Sequence, residues 1–107
     1  MIDNKHPTIV EMRRLYRGAL TGNNEAYTLR DSSPFGVDRR VEIAKLFGII
    51  SDAKTGIERL MVNINSSSDM TEDEKGEYLS LMRSYLTNVN QWHKETKGWV
   101  ERYAAAN

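Results

Sequence analysis

Cysteine is absent from this 107-residue chain, and proline occurs only at Pro7 and Pro34. Without cysteine there is no disulfide framework, no thiolate metal site and no cysteine nucleophile. A thiol-free chain suits a reducing compartment, so a cytoplasmic location is expected. Mean hydropathy is −0.61. No apolar run approaches the roughly 18 residues that mark a membrane span. No basic, apolar, small-residue opening of the signal-peptide kind is seen. Histidine is scarce too, with only His6 and His93. Neither lies in an H-E-x-x-H motif. The helical di-metal E-x-x-H pattern fails because Asn90 stands three before His93. There is no G-x-x-x-x-G-K-[ST] phosphate loop, and no serine sits in a nucleophile context. An enzyme is therefore not expected, and neither is a cofactor or a metal. The formal net charge is zero, so the total favours neither nucleic acid nor an anionic membrane.

What the chain does have is helical periodicity in a length that suits one domain. A first helix is expected at about 9–20. Thr8 and Glu11 form a T-x-x-E capping box at its start. Ile9, Met12, Tyr16, Ala19 and Leu20 share one side, and Gly22 is a natural stop. Residues 21–36, "TGNNEAYTLRDSSPFG", read as a loop, because Gly, Asn, Ser and Pro supply turn chemistry. A second helix spans about 37–64, with Ile43, Phe47, Ile50, Ile57, Met61 and Ile64 on one stripe. Residues 65–71 form a polar turn. Thr71 and Glu74 make another capping box ahead of a third helix at about 72–105. The fold class is thus all-α, a short N-terminal helix followed by a long antiparallel helical hairpin, three-helix and bundle-like.

The third helix carries Tyr78, Tyr85, Trp92 and Trp99 at one heptad interval. Heptad neighbours lie about 10.5 Å apart along a helix, whereas stacked bases repeat at about 3.4 Å. The stripe is therefore expected to be a core seam, not a base-stacking ladder. A tight antiparallel hairpin places Trp92 beside Ala44 and Gly48, and Tyr85 beside Ser51. Large residues would then meet small ones, leaving no room for a larger side chain at Gly48. One short first helix would not cover every apolar stripe, so a homo-oligomer, most simply a dimer, is expected.

Charge is unevenly spread. Residues 69–77, "DMTEDEKGE", hold five acids against one lysine, a net of −4. Arg39 and Arg40 open the second helix, and the hairpin register brings Lys94 and Lys97 near them. If the first helix folds back over that open end, Arg13, Arg14 and Arg17 join them, with Tyr27 and Arg30 on the loop. These nine residues are the candidate partner- or anion-binding site, since Arg forks and free helix-start N–H groups favour anions. The leading expectation is a non-catalytic inhibitor or regulator that binds a macromolecule, most simply a protein. Viruses and mobile elements use small proteins of this type. The alternative is a binder of a phosphate-bearing ligand, nucleotide or nucleic acid, through the basic open end.

Overall fold

The computed structural model describes the backbone of residues 2–32 and 37–105, and side chains of residues 2–29 and 41–102. Among these the chain is helical and forms α1 (Pro7–Ser32), α2 (Val37–Asn65) and α3 (Glu72–Ala105). The all-α, three-helix fold expected from the periodicity is the fold observed, and the second and third helices keep nearly their expected bounds.

The first helix is the main correction. It begins earlier than expected and continues through most of the expected loop, as far as Ser32. At its start Pro7 takes the first helical position, where a missing N–H does no harm. The His6 imidazole supplies the cap, with Nδ1 accepting a 3.1 Å bond from the Thr8 amide. The Thr8–Glu11 box does not form, because Glu11 is engaged by Arg14 instead. Gly22 does not end the helix, and no glycine among the described residues has positive φ. Gly22 lies inside the bundle, where a Cβ would meet Ile49 Cγ2 and Ile50 Cγ1 at 3.7 Å. Ala19, Asn23 and Ala26 are buried on either side of it. Local turn propensity in "TGNNEAYTLR" is worth tenths of a kcal/mol per residue, and tertiary burial overrides it.

Contacts between the helices set the topology. Leu15 meets Gly56, and Gly22 lies against Ile49 and Ile50, so α1 and α2 are antiparallel. His6 packs edge-on against Tyr78, Tyr16 bonds Asn88, and Tyr27 packs edge-on against Trp99. These pairs share one sequence offset of 72 residues, so α1 and α3 run parallel. The ring contact of Phe47 with His93 fixes the antiparallel α2–α3 hairpin. Its register is about one helical turn from the expected one. At the start of α3 the second capping box forms as expected. The Glu74 amide donates to Thr71 Oγ1 at 3.2 Å, and the Thr71 amide to Glu74 Oε1 at 3.1 Å. The result is a rod of 53 × 21 × 16 Å.

The aromatic stripe is a core seam whose ring partners lie on α1 and not on α2, while Tyr78 and Trp99 also join α2 isoleucines in the buried core. Tyr16 packs on both Tyr85 and Trp92, with centroids at 4.6 and 5.3 Å. A Cβ at Gly48 would meet nothing within 4 Å, so no aromatic fills the space beside it. Gly56 is the tight position, where a Cβ would stand 2.7 Å from Leu15 Cδ1. The 26-residue α1 lies along the α3 stripe, while Val10, Leu20, Val41, Ile49 and Val62 stay exposed on the helices.

Buried apolar residues fall into two clusters. One holds Ile9, Met12, Ala19, Ile50, Ile57, Ile64, Tyr78, Met82 and Val89, towards the α2–α3 turn. The other holds Ala26, Ile43, Leu46 and Trp99, towards the open end. Between them lie the buried polar residues Asn23 and Thr96.

Candidate partner-binding surface

Three tyrosine hydroxyls along the α1–α3 seam find partners from the other helix or its approach. Tyr78 accepts the Asp3 amide at 3.1 Å, and Tyr16 accepts Asn88 Nδ2 at 3.0 Å. The Tyr27 hydroxyl donates to Glu95 Oε2 at 2.7 Å, while Gln91 Nε2 donates to the other oxygen at 2.7 Å. Tyrosine suits this place because its ring fills the wide gap between two helices and its hydroxyl ends at the wet margin. Glu95, Gln91 and Asn88 were not singled out in the sequence. The only signal for them is their position on the α3 flank next to the aromatic stripe, and it becomes readable once Tyr27 is known to be helical.

The nine candidate residues do not form one cup. Arg13, Arg14 and Arg17 lie in the half of α1 near the α2–α3 turn. Arg13 is half-buried and bonds Asn4 Oδ1 at 3.0 Å. Arg14 pairs with Glu11 through exposed side chains. The hydrogen bond from Arg14 holds the Glu11 carboxyl below its ordinary pKa. Arg17 is exposed, level with about Lys54 on α2, given the Leu15–Gly56 contact. Arg39 stands about 15 residues nearer the open end, roughly 22 Å by helical rise. The first helix folds alongside the hairpin rather than over its end, so these three arginines stay away from Arg39 and Arg40.

The other candidates do share the open end. Arg30 belongs to α1, and Arg39 and Arg40 to α2; their side chains lie outside the described residues. Lys94 and Lys97 are exposed on α3, and Tyr27 is half-buried in the seam. Carboxylates occupy the same zone. An open groove of about 400 Å³ there is lined, among the described residues, by Thr21, Asn24, Glu25, Thr28, Leu29 and Glu42, two of them acidic. The opposite end is strongly acidic. Glu72, Asp73, Glu74 and Glu77 are all exposed at the start of α3, and the Asp3 segment packs against Tyr78 beside them. Glu74 is held below its ordinary pKa, chiefly by the Thr71 backbone hydrogen bond and then by the Thr71 side chain.

His93 sits at the edge of the α2–α3 interface against Phe47, with ring centroids 4.9 Å apart. Burial lowers its pKa from 6.5, and Lys54 and Lys97 lower it further against a weaker pull from Glu58. No group of three or more potential metal-ligating side chains occurs among the described residues. No helix is long and apolar enough to cross a membrane, again among the described residues. Comparison with known proteins returns nothing that bears on this surface: no family model, no curated protein and no solved structure matches the chain.

Proposed function

We propose that this is a non-catalytic helical binding protein that acts as an inhibitor or regulator by contact with another protein. The observation that supports this reading is the separation of the cationic positions into two stations along a 53 Å rod. Arg13 and Arg17 form one, and Arg39, Arg40, Lys94 and Lys97 the other. A small phosphate-bearing ligand needs convergent donors, and the nine candidates do not converge as one set, since Arg17 stands roughly 22 Å from Arg39 along the rod. An extended surface can meet both stations at once. Protein fits better than nucleic acid because the same rod ends in a segment of net −4. A polyanion lying along the rod would be repelled there, while a protein surface can carry matching charge of both signs.

Affinity capture from source-cell lysate, with and without nuclease, tests the reading. Capture of the same protein in both conditions is expected, with loss on Arg39→Ala/Arg40→Ala or Arg13→Ala/Arg17→Ala and unchanged helicity. Capture that disappears with nuclease would transfer the assignment to nucleic acid.

A further inference from the structure

We propose that the buried Asn23–Thr96 layer is a built-in plane of separation, which lets the open end of the bundle loosen as a unit while the turn end stays folded. Thr96 is fully buried and Asn23 is 5% exposed, yet neither Asn23 Oδ1 nor Thr96 Oγ1 has a hydrogen-bond partner. A helical threonine can bond the carbonyl one turn back, as Thr28 and Thr87 do here. Thr96 does not. The 72-residue offset of the α1–α3 pairs puts Asn23 within one residue of the level of Thr96. The two orphaned oxygens thus occupy the same cross-section of the bundle. That cross-section is also where the apolar core divides. Ala19, Ile50 and Val89 belong to the cluster on one side, and Ala26, Leu46 and Trp99 to the cluster on the other.

The energetic consequence has a direction. A buried polar group without a partner keeps its full desolvation penalty. Opening the end beyond the layer hydrates both oxygens and removes that penalty. Among the described residues it exposes the smaller cluster of Ala26, Ile43, Leu46 and Trp99, with Tyr27, Leu29 and Val100 packed against it. Opening the turn half would expose the larger cluster instead. The open end is therefore the part that separates first, in the manner of a cooperative sub-global unit. Its closed state is held by the Tyr27–Glu95 hydrogen bond and the edge-on contact of Tyr27 with Trp99, centroids 4.9 Å apart.

Native-state hydrogen exchange on the full chain, resolved by residue, tests this. Amides in 24–29, 41–46 and 97–102 should exchange together, at least about tenfold faster than those in 12–19, 50–57 and 82–89. Thr96→Val keeps the side-chain shape and removes one orphaned oxygen. It should slow exchange at the open end by about five- to tenfold. Ile57→Val weakens only the turn-side cluster, so it should speed exchange there and leave the open end unchanged. One common rate for both sets would overturn the proposal. So would an open end indifferent to Thr96→Val, or an Ile57→Val effect of equal size on both sides. If Thr96→Val does not fold, Thr96 is required where it stands and the proposal fails.

Discussion

Tyr27 on α1 and Glu95 on α3, 68 residues apart in sequence, are joined by a 2.7 Å hydrogen bond. Glu95 is simultaneously held by Gln91, so its carboxylate is fixed before Tyr27 reaches it. Tyr27→Phe should keep the ring on Trp99 and lose only the hydroxyl. A hydrogen bond to a charged, half-buried group of this kind is worth about 1–2 kcal/mol. Urea unfolding should show that loss. Tyr16→Phe, which removes a bond to the neutral and exposed Asn88, should cost clearly less.

Trp99 is the anchor of the open-end cluster at 7% exposure. Trp99→Ala should lower stability by about 3–5 kcal/mol, the range for truncating a buried aromatic. Trp92 is only half-buried, and Trp92→Ala should cost less. Equal losses measured by denaturant titration would contradict the burial difference.

The interior glycines of α2 should respond unequally. Gly48 has open space around its missing side chain, so Gly48→Ala should stabilise the protein by about 1 kcal/mol through helix propensity. At Gly56 an added methyl would press on the end of Leu15 at 2.7 Å. The end of Leu15 must shift to make room, and part of the propensity gain is lost. Thermal melts of the two alanine variants should therefore rank Gly48→Ala above Gly56→Ala.

Much of this fold was readable in the chain because its strongest signals are long and redundant. The Ile43–Ile50–Ile57–Ile64 stripe is buried throughout, and the Thr71–Glu74 box forms as its spacing implies. Of the expected loop, 33–36 lie outside the described residues. The misreading of 21–32 arose because the helix there is held by small and polar residues, Gly22, Asn23 and Ala26. Their value lies in what they pack against and not in their own propensity. That single error hid the ring partners that α1 supplies to the aromatic stripe, and it also made a converging basic cup look possible. An arginine's place in sequence says little about which level of a bundle it reaches until helix directions are fixed. His6 as a cap was missed for a related reason, since a Thr-x-x-Glu pattern nearby offered a more familiar alternative.

Acid should weaken the bundle in two steps. His93 has a folded-state pKa below 6.5, through burial and then Lys54 and Lys97. The unfolded chain therefore takes up the proton first as pH falls, and stability rises with pH across the window just below 6.5. Glu74 has a folded-state pKa below 4.5 through its capping bonds to Thr71. Its contribution is present above that value and fades as pH falls below it. Melting temperature followed from pH 7.5 to 3 should show both declines. His93→Gln should remove the upper one only.

The division of the cations into two stations is tested most directly by nuclear magnetic resonance titration of the labelled protein with ATP and, separately, inorganic phosphate. The account predicts that neither ligand produces saturable shifts that include amides around Arg13 and Arg17 together with those around Arg39 and Arg40. A single saturable site moving both sets of amides would contradict it, because it would require the two stations to meet on one small ligand.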